Sequence, residues 1–189
     1  PLHEQITDWQ RKFQKEIGNN HAKYFDKNGW LYFTKETFDL LYPSYGDTYP
    51  TFLGAIGMTY EQAGGGGAGL GVLNSENEIL SLKDRINHHT TTGLSTVEIS
   101  SKNADRLNNE FINFFKSQEN NKTNYVIQGN KDKVKSLTKL LDYHEIKYAF
   151  ASNNGKFNGY SYLMNKNTKV EINKNDLIIK TNQPKGKLV

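Results

Sequence analysis

The chain has 189 residues, 35% of them hydrophobic and 23% charged, with no cysteine and a formal net charge of +4 from 24 Lys and Arg against 20 Asp and Glu; this suits one full globular domain or two small ones. The missing cysteines exclude thiolate nucleophiles, disulfides and Cys-based metal sites, although a large secreted bacterial enzyme can also lack cysteine and the compartment stays open. The longest apolar runs, at 53–58 and 70–73, are broken by glycine and fall far short of the roughly 18 residues of a membrane span; the lysines between Lys116 and Lys187 are scattered beside few arginines, a solvated surface rather than a nucleic-acid patch.

The chain opens on Pro1 and a polar, helical pattern rather than a basic and apolar signal, the reading of an excised piece. Ile6, Trp9, Phe13 and Ile17 recur at helical spacing, which predicts a helix over 4–17 with Gly18 as its stop. Aromatic residues crowd 29–45 and close on Tyr42-Pro43-Ser44-Tyr45-Gly46-Asp47, a turn-forming string. Residues 55–60 then predict a short strand buried on both faces, with Glu61 at its exit.

Residues 64–71 hold six glycines in eight, which predicts an irregular, mobile loop, since glycine loses more chain entropy on ordering than any other residue. From Ile79 on, Leu82, Ile86, Ala104, Leu107, Phe111, Phe114 and Phe115 predict core-facing helices. The wholly polar stretch 117–123 marks a domain boundary, giving domains 1–118 and 119–189. Beyond it the pattern reads strand (125–127), helix with Val134, Leu137 and Leu141 on one face, and strand (148–151), followed by strands at 160–164, 169–172 and 177–180. This second domain reads as a small flavodoxin-like or Rossmann-like α/β module that is cut short.

Three features compete for the chemistry. Gly64, Gly66 and Gly69 form a Gly-x-Gly-x-x-Gly string, but a dinucleotide site needs a helix opening directly after it, and Leu70-Gly71-Val72-Leu73 is not a helix start. His88 and His89 are adjacent, so on a helix they point about 100° apart and do not chelate one ion; they read as surface or capping residues, as do His3 and His21, while His144 ends the second-domain helix, where a cation suits the dipole. The third is Glu61. Burying a carboxylate costs several kcal/mol unless it is paired or its pKa rises, so a Glu at the end of an apolar strand is either a general base or a residue bonded to backbone amides.

The strings Tyr42-Pro43-Ser44-Tyr45-Gly46-Asp47-Thr48 and Gly54-Ala55-Ile56-Gly57-Met58-Thr59-Tyr60-Glu61-Gln62 resemble the zinc carboxypeptidases of the carboxypeptidase A type, above all large bacterial members with a Tyr-Pro-x-Tyr-Gly loop and a Gly-Met-Thr-Tyr-Glu-Gln strand. The resemblance spans roughly residues 1–118 and implies the C-terminal part of a carboxypeptidase-like mixed sheet with helices. It implies a peptide substrate held by Tyr42 and Tyr45, with Tyr42 on a loop that closes over it, and Glu61 as the general base that takes the proton of a zinc-activated water.

The departure from that family is the metal. Its His-x-x-Glu and further His lie upstream of the tyrosine loop, and no His here has a Glu three residues later. Zinc is therefore expected in a full-length parent and not tightly bound to this chain, which alone should not cleave peptides. The second domain resembles, through its β-α-β order and Gln183-Pro184, the glutamine-amidotransferase-like module that follows such peptidases; without a cysteine nucleophile it is expected to be a structural or binding appendage. The rival reading is a non-catalytic module holding peptide or glycan on Trp30, Tyr32, Tyr42, Tyr45 and Tyr49.

Overall fold

A computed structural model of the protein describes residues 2–34, 39–62, 69–118 and 120–189. The chain is of mixed α/β class and folds as two compact units, Pro1–Ile112 and Asn113–Val189. The division falls inside a helix, upstream of the polar stretch 117–123.

The first unit is built on two long helices, α1 (Asp8–Asn28) and α2 (Leu82–Lys102). The start of α1 is set by a capping box in which Thr7 and Gln10 satisfy each other's backbone N–H groups. The helix runs past Gly18, the expected stop, because Asn20, His21 and Tyr24 all find partners on α2. It ends instead at Gly29, whose φ of 66° is the left-handed conformation that closes a helix C-terminus. Ile6, Phe13, Ile17, Phe25, Leu40 and Phe52 are the buried apolar residues of this unit.

Strands β1 (Gly71–Leu73) and β2 (Ile79–Ser81) form a short antiparallel hairpin ahead of α2. The periodicity at Ile79 was legible as helix, yet the helix begins only after Ser81, whose side chain caps it through Asp84. The glycine-rich loop falls largely on 63–68, outside the described residues. The stripe expected to face a core does so only at its end: Leu82, Ile86 and Phe111 are exposed, Leu107 and Phe115 are half-buried and Phe114 is buried. Instead α2 turns Ser95 and Glu98 toward α1, and the two helices meet through a polar seam. Helix α3 (Ala104–Lys116) follows, with Arg106 reaching Glu16 of α1 through both carboxylate oxygens at 2.9 and 3.0 Å.

The strand expected at 55–60 is not formed; these residues lie in no strand ladder. Two of their carbonyls are taken by side chains: the Gln10 amide donates to Ala55 O (2.7 Å), as well as to Thr51 O (2.9 Å) of the preceding turn, and the Gln14 amide donates to Gly57 O (2.8 Å). A buried carbonyl needs a partner, and here a helix supplies it in place of a neighbouring strand.

The second unit contains β3 (Asn124–Ile127), α4 (Lys131–Tyr143), β4 (Tyr148–Phe150) and β7 (Leu177–Lys180), with an intervening hairpin of β5 (Gly155–Ser161) and β6 (Lys166–Ile172). The expected β-α-β order is present, but its two strands are not neighbours. The sheet order is β3-β7-β4, and β7 is antiparallel to both. Leu141, Ile146, Leu177 and Ile179 form the core, with Val134 and Leu137 of α4 packed against it.

The Gln183-Pro184 string has a structural use. Gln183 mimics a backbone partner for Lys147, accepting from its N–H at 2.7 Å and donating to its carbonyl at 3.0 Å, and it also donates to Lys180 O. Gln183 is buried, so Gln183→Ala should lower the stability of the second unit by about 1–3 kcal/mol by leaving backbone groups unmade. Urea unfolding followed by the near-ultraviolet signal of Tyr125 and Tyr148 measures this, and an unchanged midpoint would contradict it.

Candidate functional site

The tyrosine loop and the segment carrying Glu61 are joined at Asp47. Thr59 donates to its carboxylate at 2.6 Å and Thr48 at 3.2 Å. Gly57 lies so close to the loop that a Cβ there would stand 1.7 Å from the carbonyl oxygen of Asp47 and 2.8 Å from its carbon. Only glycine permits this approach. The loop itself is wound by Tyr45 N–H donating to Tyr42 O and Tyr49 N–H donating to Tyr45 O, and it leads into a 3-10 turn, Tyr49–Leu53, with buried Thr51 and Phe52.

Along 58–62 the burial alternates: Met58, Tyr60 and Gln62 are half-buried and Thr59 and Glu61 are exposed, while Gly57, two residues before Thr59, is buried. That is the pattern of an extended chain with two distinct faces. The inner face belongs to α2: the Tyr60 hydroxyl is 3.0 Å from Thr96 Oγ1, and Gln62 Oε1 is 3.1 Å from His88 Nδ1. The outer face holds Thr59, which touches the tyrosine loop through Asp47, and Glu61 two residues on. Glu61 is thus close in sequence to the Thr59–Asp47 bond and open to solvent.

Tyr42 and Tyr45 are themselves 60% and 56% exposed and meet edge to face with centroids 5.8 Å apart. Glu61 forms no ion pair with another described residue. No direct contact joins Glu61 to either tyrosine among the described residues; what joins them is the Thr59–Asp47 bond. The five aromatic residues considered as one platform separate. Trp30 and Tyr32 pack edge-on against Phe25, and Trp30 also stacks on His88, so these rings serve the end of α1.

The histidines are otherwise engaged, and two of them correct the expectation of surface or capping roles. His88 sits in the Phe25 and Trp30 cluster, where burial holds its pKa below the ordinary value. His21 lies in the polar seam with Nδ1 2.9 Å from Ser95 Oγ and its ring edge-on to Tyr60; burial lowers its pKa too. His3 accepts from Gln5 N–H and packs on Phe52. His144 is the C-cap of α4, as its position suggested. Among the described residues there is no group of three or more His, Cys, Asp or Glu able to hold a metal ion.

Glu98 is the most heavily used carboxylate of the seam. Lys102 at 2.5 Å, Asn20 at 3.0 Å and the Tyr24 hydroxyl at 2.7 Å all donate to it, and together they pull its pKa from the ordinary 4.5 to about 2. Sequence reasoning missed this residue because two of its three partners, Asn20 and Tyr24, lie on α1, far away in the chain. No helix among the described residues is long and apolar enough to cross a membrane. No family model, curated protein or solved structure matches the chain.

Two outcomes follow from this geometry. Gly57→Ala should destabilise the first unit by about 1–3 kcal/mol through forced displacement of the Asp47 backbone, read as a lower urea midpoint. The depressed Glu98 pKa contributes stability that is complete above pH 4.5 and is lost as pH falls toward 2, because the unfolded carboxylate takes up its proton first. Thermal midpoints measured across that window should fall with pH, and Glu98→Gln should flatten the slope.

Proposed function

We propose that this chain is the C-terminal part of a peptide-hydrolysing domain of the zinc carboxypeptidase type, in which Glu61 is the general base and Tyr42 and Tyr45 hold the substrate. What supports this reading is the tie between the two parts of the motif pair: Thr59, two residues before the exposed Glu61, donates to Asp47 at the end of the tyrosine loop. Both parts of the motif pair are open to substrate, although the apolar strand end that first singled out Glu61 is not formed and its carboxylate is exposed, not buried.

In this reading the Glu61 carboxylate accepts a proton from the attacking water as the water oxygen bonds to the scissile carbonyl carbon. It returns that proton to the amine nitrogen as the carbon–nitrogen bond breaks. The Tyr42 hydroxyl donates to the substrate backbone or its terminal carboxylate, and Tyr45 packs edge-on against Tyr42 to hold its ring. Zinc, in a parent enzyme, is held by residues outside this chain. The second unit serves as a structural or binding appendage, and its β-α-β order supports likening it to an amidotransferase-like module.

A non-catalytic peptide- or glycan-binding role is the second reading, favoured by the exposure of the Tyr42 and Tyr45 pair. The encoded polypeptide containing this chain, assayed with zinc on peptides bearing a free C-terminal carboxylate, separates the two. Glu61→Gln should lower kcat on the order of 10²- to 10⁴-fold with KM little changed, as removal of a general base does. A kcat within twofold of the parent, or no hydrolysis by the parent at all, would overturn the peptidase reading. Loss of peptide binding in Tyr42→Ala with no hydrolysis by either protein would establish the binding role instead.

A further inference from the structure

We infer that Thr96 and His88 of α2 are positioning residues for Glu61, acting through the residues on either side of it; this rests on the reading of Glu61 as the base. The two contacts flank Glu61 in sequence and both go to α2, while Glu61 itself is exposed. Thr96 Oγ1 is 3.0 Å from the Tyr60 hydroxyl, and His88 Nδ1 is 3.1 Å from Gln62 Oε1. A residue whose two neighbours are both tied to the same helix loses the freedom to rotate about the segment axis.

The proton inventory sharpens the assignment. Thr96 has one hydroxyl proton, and it is given to the carbonyl of Thr92 at 2.8 Å. The Tyr60 hydroxyl then has Thr96 Oγ1 at 3.0 Å as its near partner and Met58 Sδ at 3.8 Å as its far one. At the other end an Nδ1–H tautomer of His88 donates to Gln62 Oε1. Each anchor is fixed in turn: Thr96 by its own helix backbone, and His88 by the rings of Trp30 at 4.6 Å and Phe25 at 5.5 Å. Tyr60 is further held by the edge-on ring of His21 at 4.9 Å.

Such support matters because a general base works only from a narrow geometry, and displacement by about 1 Å costs on the order of 100-fold in rate. Glu61 has no strand ladder to hold it and no ion pair with a described residue. The helix behind it supplies the constraint instead.

The test uses two isosteric removals and two conservative variants. Thr96→Val keeps the shape and removes the acceptor, and His88→Phe keeps the ring and removes the donor. Thr96→Ser and His88→Asn retain a hydroxyl and an N–H near the original places. In this chain, amide hydrogen exchange at Tyr60, Glu61 and Gln62 should quicken about tenfold or more in the two removals, with the interior amides of α1 and α2 unchanged, the mark of local rather than global opening. The conservative variants should stay near the parent rate.

In the encoded polypeptide the removals should lower kcat on the order of 10-fold to 100-fold with KM within about twofold, and the conservative variants should recover most of it. Unchanged exchange at these three amides would overturn the clamp whatever the activity. Faster exchange with kcat intact, in a protein that Glu61→Gln inactivates, would overturn the positioning role and leave a structural one. Should Glu61→Gln itself leave kcat intact, the fault lies with the assignment of the base, and the exchange data still report on the clamp.

Discussion

The first unit depends on one buried side-chain amide. Gln10 is fully buried, and its two ends do different things. Its oxygen closes the capping box that starts α1, and its nitrogen donates to the carbonyls of Thr51 and Ala55. A buried amide left without partners costs about 1–3 kcal/mol, so the helix start and the path of the chain after the 3-10 turn are set together. From there Gln14 takes Gly57 O, Gly57 presses against Asp47, and Thr59 bonds the Asp47 carboxylate. The candidate site is the exposed end of that chain of contacts.

Side chains doing the work of a ladder explain why the site was half legible. The turn string at Tyr42 to Asp47 is a local property, and composition exposes it; the closeness of Gly57 to Asp47 is not. The strand over 55–60 was the natural reading of Ala55-Ile56-Gly57-Met58, because an apolar run bounded by turn signals looks like a buried strand. What the pattern does not carry is whether a second strand lies alongside. Here Gln10 and Gln14 do, more than forty residues away in sequence. The chemical type of Glu61 was readable; its exposure, and the α2 residues behind it, needed three dimensions.

The helices teach the same lesson with the opposite sign. Apolar spacing along α2 and α3 pointed to a core, but Leu82, Ile86, Leu94 and Val97 are exposed and the contact with α1 runs through Asn20, His21, Tyr24, Ser95 and Glu98. Helical periodicity identifies the helix and is silent about which stripe meets a neighbour when a polar stripe competes. In the second unit α4 behaved conventionally, its Leu141 buried as its spacing implied. There the missing information was pairing order, since nothing in Leu177 to Lys180 announces that it enters between two earlier strands.

That insertion has a consequence for how the second unit comes into being. β3 and β4 touch only through β7, which follows them by roughly fifty and thirty residues. As the polypeptide leaves the ribosome, the outer strands have nothing to zip against until the central one arrives, so nascent Asn124–Ile127 and Tyr148–Phe150 wait as open edges. Long-range closure of this kind is slow and leaves edges exposed to other chains. The fast, local elements, α4 and the β5–β6 hairpin, are the ones able to form during that wait, and the sheet is the last thing completed.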